Sequence, residues 1–363
     1  MRISLPSIAG GFLAGRAAHR KALPAHAGPG DPGRRPGPDA VRGLSLREIA
    51  RLKLHHGRGR FRNPWGPRET RRFGQALKWK LLSRNRFRHL YRNERIRPVT
   101  VDWEAVRGHP GLSVTFITHA TVLIRDAGFT ILVDPVLDGL FGPIRNFTPL
   151  AFDPADLPRP ELVLITHGHY DHLDLPSAAR FGQCSRFAAP LGLGRVLQSA
   201  GVAHVSELDW FDTLTVDSRE IVLLPCRHWS MRNPFAGPNT ALWGSYLVKT
   251  ACGPVIYVSG DLAYFDRFGE IGREADIDLA IFNLGAYEPR WFMKHAHIGP
   301  AETVKAFSEL GARRLMAVHW GTFRLGDDPV YLPPLELRRE MKRAGLLERL
   351  VDIEHGQTFF FDS

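Results

Sequence analysis

The sequence predicts an α/β sandwich with helices on its outer faces, preceded by a basic N-terminal extension. Three observations carry that expectation. Short β-branched and aromatic segments run one after another at the start of the body, and beyond them strand-like segments alternate with helical ones. Charge divides the chain: residues 1–100 hold 24 Lys or Arg against 5 Asp or Glu, whereas the rest holds 24 against 32. Finally, 363 residues at 44% hydrophobic and 10% aromatic can bury one large core or two modest ones, which excludes a wholly disordered chain. No run approaches the ~18 uninterrupted apolar residues of a spanning helix. Cys184, Cys226 and Cys252 form no Cys-x-x-Cys pair and no disulfide framework, so a reducing, cytoplasmic compartment is expected.

The elements follow in order. Residues 1–43 are rich in Gly, Pro, Ala and Arg, a composition that cannot sustain packing and reads as a disordered tail. Within it, Ile8 to Ala14 after Arg2 makes only a poor signal peptide. Residues 44–111 form a basic, partly helical extension. Ser45 and Glu48 mark a helix start, and Phe73 to Tyr91 mixes aromatic, Leu, Lys and Arg residues. That mixture suits either a helix lying on a membrane surface or one packed on the body with a solvated basic face. The body spans 112–363. Ser113–Ile117, Thr121–Ile124 and Phe129–Val133 read as strands, with Asp126-Ala-Gly as a turn. Leu162–Ile165, Ile221–Leu224, Leu242–Val248, Val255–Val258, Asp278–Leu284 and Leu315–Val318 read as further strands. Helices are expected at Asp174–Phe181, Tyr264–Gly272, Pro300–Leu310 and Leu335–Ala344.

The chemistry sits where strands end. His167-Gly-His169-Tyr-Asp171-His172 packs three imidazoles and a carboxylate into six positions directly after a buried strand. Two side chains two apart on an extended segment share a side, so His167 and His169 can reach one metal, and Asp171 and His172 a second nearby. Asp174, before Pro176, suits an N-cap better than a metal. His228, Asp261 beside Gly260, and His319 each follow another expected strand. A lone His there is usually structural; four such places sharing one geometry are a site, at the strand ends where α/β proteins put theirs.

In this order the residues resemble the metallo-β-lactamase superfamily, over about Leu112 to Phe361. Asp134-Pro, the His-Gly-His-Tyr-Asp-His-Leu-Asp run, His228-Trp, Leu242-Trp-Gly-Ser, Gly285-Ala-Tyr-Glu-Pro-Arg-Trp-Phe-Met-Lys294 with His297, and His319-Trp-Gly-Thr-Phe are most similar to its branch of N-acylphosphatidylethanolamine-hydrolysing phospholipases D. The resemblance implies an αβ/βα sandwich and a binuclear zinc phosphodiesterase, often dimeric and membrane-associated. It would cleave a phospholipid to phosphatidic acid and an N-acylethanolamine. It also implies that His167, His169 and His228 hold one zinc, Asp171, His172 and His319 the other, and that Asp261 bridges them. Two departures are Thr118 in Thr118-His119-Ala-Thr, where the family usually has Gly, and Leu262 after Gly260-Asp261, where it has Thr. In the first hundred residues only Asn63-Pro-Trp shows any likeness.

The expected mechanism is attack on phosphorus by a hydroxide shared between metals ~3.5–4 Å apart, with Asp171 also orienting the nucleophile. His297 is the candidate acid for the leaving alkoxide, a structural role being the other reading. Tyr287, Arg290 and Lys294 are the expected substrate contacts, the last two through phosphate. Trp291, Phe292 and Met293 face either acyl chains or a core, and His119 is expected to be structural. The apolar Leu137–Phe152 segment is either a membrane or ligand patch or a loop folded over the core. Zinc is the expected cofactor, with iron or manganese compatible with the same donors. The expected partners are a phospholipid substrate, an inner membrane face at which the protein is peripheral, and a second copy of the chain; nucleic acid is not expected. Hydrolysis of a lactone or a soluble phosphodiester is the alternative.

Overall fold

The computed structural model describes residues 41, 43–65, 73–92, 94–140, 142 and 144–362. The expected tail, residues 1–43, lies almost wholly outside them. Among the described residues, fourteen strands form two seven-stranded sheets. The first comprises β1 (Leu112–Thr118), β2 (Thr121–Asp126), β3 (Phe129–Val133), β4 (Leu162–Leu164), β5 (Arg186–Pro190), β6 (His204–Leu208) and β14 (Thr358–Phe360), in the order β14-β1-β2-β3-β4-β5-β6. The second comprises β7 (Thr213–Val216), β8 (Arg219–Leu224), β9 (Ser245–Lys249), β10 (Val255–Val258), β11 (Leu279–Asn283), β12 (Arg314–Val318) and β13 (Leu350–Val351), in the order β13-β12-β11-β10-β9-β8-β7. Each sheet pairs an antiparallel meander with a parallel run, the pattern expected of strands in series followed by strands alternating with helices.

The period-2 alternation of side chains explains why both faces of the first sheet are apolar. Val122, Ile124, Ile131, Val133, Leu162 and Leu164 point into the large core that also takes Ile221, Leu223, Val248, Ile256 and Ile281 of the second sheet. Their neighbours Leu123, Leu132, Val163 and Phe187 point the other way, into an outer core with Trp103, Val106, Ala178, Phe181 and Leu197. Those last residues come from helices α3 (Trp103–Gly108), α4 (Leu175–Phe181) and α5 (Gly194–Ser199). The second sheet is covered by α6 (Phe268–Ile271), α8 (Pro300–Leu310) and α9 (Leu332–Arg343), whose Phe268, Ile271, Phe307, Leu310, Leu337 and Met341 are buried. The result is the expected four-layer αβ/βα sandwich.

The extension packs on this sandwich. Helix α1 (Leu46–Arg51) starts at Ser45, whose hydroxyl accepts from the Glu48 amide while Glu48 accepts from the Ser45 amide, and it buries Leu46, Ile49 and Ala50. Phe73 to Tyr91 is not one helix. Helix α2 (Phe73–Leu77) runs into a π-helical turn, Lys78–Leu82, and stops; Asn85 then takes the Phe87 amide and donates to the Tyr91 hydroxyl, competing with helix geometry. Trp79 turns inward onto Phe292 and Met293, donating to Asp327, while Leu77, Leu81 and Leu82 stay exposed. The described residues of the 137–152 segment form a loop folded over the core: Leu137 and Phe147 are buried, and the Phe147 amide donates to the Thr322 carbonyl. Among the described residues no helix is long and apolar enough to cross a membrane.

Candidate metal centre

Strand direction collects the chemistry at one end of the sandwich. In the first sheet β1, β3 and β4 run the same way, and their carboxyl ends deliver His119, Asp134 and the His167–His172 turn. In the second, β8, β10, β11 and β12 share a direction and deliver His228, Asp261, Asn283 and His319. The backbone is forced there. His119, Asp134 and His319 all adopt positive φ, and so does Gly260, where a Cβ would lie 2.8 Å from Thr166 Cβ. At Gly285 a Cβ would meet the His319 carbonyl at 2.2 Å, so only Gly lets that ligand's backbone approach.

Two clusters result, each with ligand atoms within 4.8 Å of one another: His167, His169, His228 and Asp261 in the first; His119, Asp171, His172 and His319 in the second. In the first, His167 Nε2 lies 2.8 Å and His228 Nε2 3.3 Å from His169 Nδ1. The opposite ring nitrogens fix the tautomers. His228 Nδ1–H donates to the Ala296 carbonyl at 2.9 Å. His167 Nδ1–H donates to Thr166 Oγ1, whose own proton goes to Asp134. The lone pairs of His167 Nε2 and His228 Nε2 thus both face His169 Nδ1, a convergence of imidazole nitrogens that a cation among them would satisfy. In the second cluster His172 Nδ1–H donates to Asp134 Oδ2 at 2.7 Å, aiming Nε2 inward. The buried Nε2 atoms of His172 and His319 make no hydrogen bond of good geometry. Asp261 joins the clusters: Oδ2 lies 3.3, 3.9 and 4.0 Å from Nε2 of His172, His228 and His167, and Oδ1 lies 3.2 Å from His319 Nε2.

The electrostatics ask for cations. Burial would raise the carboxyl pKa of Asp171 and of Asp261, yet the surrounding histidines hold both well below the usual carboxylate range. Burial opposes charging of His172, but the Asp261, Asp171 and Asp134 carboxylates hold it well above its ordinary value. His167 is held well below its own by burial and by its histidine neighbours. Carboxylates held ionised beneath a cover of histidines suit a pair of divalent ions. A donor set of N and O with no thiolate fits zinc, iron or manganese.

All seven expected metal ligands therefore meet. His297 also reaches the site, with Nδ1 3.8 Å from Asp261 Oδ2 and its ring 5.7 Å from that of His228. Asp174 caps α4, accepting from the Ser177 amide. Two expected substrate contacts need correction. The Tyr287 hydroxyl is buried and donates to Glu336. Arg290 spends its guanidinium on the carbonyls of Tyr287 and His297 and on Glu302, so it holds the His297 turn rather than a phosphate. Lys294, at the end of α7 (Arg290–Met293), is exposed. Sequence reasoning passed over two residues. His119, expected to be structural, has Nε2 3.2 Å from Asp171 Oδ2 and its ring 4.0 Å from that of His319; burial, with His319 adding to it, pushes its pKa down to about 3. Asn283 donates to Asp261 Oδ1 at 3.1 Å. Their signal was position alone, each sitting at a strand end beside a ligand.

Comparison with known proteins gives the chain its family. Residues 130–320 match the beta-lactamase superfamily domain. An uncharacterized protein of Mycobacterium tuberculosis is 36% identical over 233 residues, 60% of this chain and 61% of its own length, so the chain spans less than two thirds of that relative. The N-acyl-phosphatidylethanolamine-hydrolyzing phospholipase D 1 of Caenorhabditis elegans is 32% identical over 254 residues, 64% of this chain and 70% of that protein. A UPF0173 metal-dependent hydrolase of Methanopyrus kandleri is 29% identical over 255 residues, 68% of this chain and 99% of that one. Among solved structures, the metallo hydrolase Igni18 of Ignicoccus hospitalis superposes with a TM-score of 0.54 at 20% identity, covering 69% of this chain and 99% of its own.

Proposed function

The chain belongs to the beta-lactamase superfamily and is a metal-dependent hydrolase; from that premise we propose that it is a binuclear zinc phosphodiesterase of phospholipase D type, acting on N-acylated ethanolamine phospholipids. The observation that carries this reading is Asp261, whose two oxygens lie within 4.0 Å of ligand nitrogens from both clusters. His167, His169 and His228 would hold one cation, Asp171, His172 and His319 the other, with Asp261 common to both. When bound, such a pair supplies a nucleophile at neutral pH and offsets charge on the phosphoryl oxygens.

The chain's own groups supply the rest. Asp171 accepts hydrogen bonds at the mouth of the second cluster and orients the attacking water. His297, partly open to solvent, stands beside Asp261 where a leaving oxygen would emerge. Water adds to phosphorus and releases a proton to solvent, the bond from phosphorus to the ethanolamine oxygen breaks, and His297 gives that oxygen a proton that solvent then restores. The products are an N-acylethanolamine and phosphatidic acid. Arg290, fastened to the His297 carbonyl, keeps the imidazole in place.

The lipid class draws support from the surface beside α7. Leu77, Leu81, Leu82 and Trp291 are exposed there, among Lys78, Lys80, Arg84, Arg86 and Arg88, with Lys78 Nζ over the Trp291 ring. Apolar side chains ringed by cations suit an anionic bilayer, each basic residue contributing about 1 kcal/mol. The test is metal analysis of the purified protein paired with assays on N-acylphosphatidylethanolamine vesicles and on a small lactone. Two metal equivalents and release of N-acylethanolamine are expected. Turnover of the lactone alone would overturn the phospholipid assignment.

A further inference from the structure

A strap contributed by the extension, Lys53 to Trp65, crosses behind the first metal cluster. Its two ends are anchored in the body. Lys53, His55 and His56 converge on the Asp209 carboxylate at 2.5, 2.6 and 2.8 Å. Trp65 stacks on Trp210 and on Phe265, at 5.4 and 5.3 Å, and His55 stacks on Trp210 at 4.1 Å. Between the anchors the strap grips one loop, the one that carries His228. Asn63 Nδ2 donates to the His228 carbonyl at 2.5 Å, the Phe61 amide donates to Asn239, and Arg60 donates to the carbonyls of Ala236 and Pro238.

That loop is itself tied to the other two ligands. Asn239 and Ser230 close it with reciprocal bonds, the Ser230 amide to Asn239 Oδ1 and the Asn239 amide to the Ser230 carbonyl. Ser230 Oγ accepts the Gly168 amide, between His167 and His169. From Asn63 to Gly168 the chain of contacts is therefore continuous, and it starts outside residues 130–320, where the family match lies.

We propose that Asn63 is a positioning residue for the first metal cluster: by holding the His228 carbonyl it fixes the imidazole against His167 and His169, so this enzyme's first metal is retained only with the strap in place. This rests on the metal-hydrolase reading. A ligand whose backbone can drift loses its preorganisation, and outer hydrogen bonds of this kind typically carry about 10–100-fold in metal affinity.

The test uses the full chain, loaded with cobalt as an optical probe and titrated with a chelator. Asn63→Asp is the main variant, since it is nearly isosteric yet can neither donate to the carbonyl nor lie beside it without repulsion; Asn63→Ala is the second. One equivalent of metal should leave at about 10–100-fold lower chelator concentration, with the second equivalent's absorption band and the metal-free melting temperature as in wild type. Arg60→Ala, which loosens the loop further from His228, should move the same equivalent less. Equal retention of both equivalents in Asn63→Asp would overturn the proposal. So would equal loss of both with a lowered metal-free melting temperature, which would mark a structural strap. A wild-type protein that binds no cobalt would bring down the parent reading as well, and is separable because it needs no variant.

Discussion

The two candidate metal clusters share Asp261 but are supported in opposite ways. The first is made of imidazoles, and its third member, His228, rides on a loop held from outside by Asn63 and Arg60. The second is buried among strand ends. Behind it Thr322 forms a hub: its hydroxyl oxygen accepts the His119 amide at 2.9 Å and lies 3.1 Å from Thr118 Oγ1 and 3.2 Å from His355 Nε2. His119 in turn lies against Asp171 and His319. The difference teaches that one half of this site is assembled from the fold's own strands, whereas the other half is completed by a segment added in front of the sandwich. Metal loss should therefore begin at the first cluster under mild treatment.

The largest expected effect ignores that asymmetry. Asp261→Asn keeps the shape but removes the charge both clusters share, so turnover should fall by about 10³-fold or more and both metal equivalents should weaken. Loss of a single equivalent would show that Asp261 serves one cluster only. His119→Ala sharpens the comparison from the second side. With its contact to Asp171 gone, the second equivalent should bind about 10–100-fold more weakly while the first is untouched. Metal stoichiometry after graded chelation distinguishes the two; release of the first equivalent would contradict the division into two separately supported sites.

Much of this was legible in the residues. The His167–His172 run declares itself because consecutive ligand-type side chains after a buried strand have few other uses. His228, Asp261 and His319 became legible only jointly, as repeats of one placement. His119 and Asn283 did not, because a single polar residue at a strand end is common and its direction depends on the φ that packing imposes; His119 sits at φ 47. The Gly285–Lys294 run shows the converse error. Its residue types suit a phosphate site, but Tyr287 and Arg290 face Glu336 and Glu302, and side-chain direction on a short, irregular segment is not written in composition. β5, β6 and β7 escaped reading because they are short and mixed in polarity, and only pairing with neighbours made them strands. The strap was invisible for a different reason: its partners, Asp209 and the His228 loop, are more than 150 positions away in sequence.

Smaller effects probe the hub. Thr322→Val is close to isosteric but leaves the buried His119 amide without its acceptor, a loss of about 1–3 kcal/mol. Urea unfolding should register it, and the second metal equivalent should weaken in step. If stability falls while metal retention at the second cluster does not change, the hub supports the fold and not the site.

The gentlest lever is pH, through His355. Its Nε2–H donates to the Trp320 carbonyl at 3.0 Å in a buried setting, and burial pushes its pKa down to about 3. In the unfolded chain the same imidazole titrates near 6.5. Between those values the unfolded state binds the proton and the folded state does not, so this residue's effect is absent above pH 6.5 and destabilises increasingly as pH falls toward 3, at about 1.4 kcal/mol per pH unit. His355→Gln retains a donor for Trp320 and does not titrate. Melting temperatures of the metal-free proteins should therefore converge in shape above pH 7 and diverge below 6, with the variant losing less as the solution is acidified. Parallel curves across that range would mean that His355 binds its proton equally in the folded and unfolded chain, and that the strand-end side of the molecule is less dry than its burial indicates.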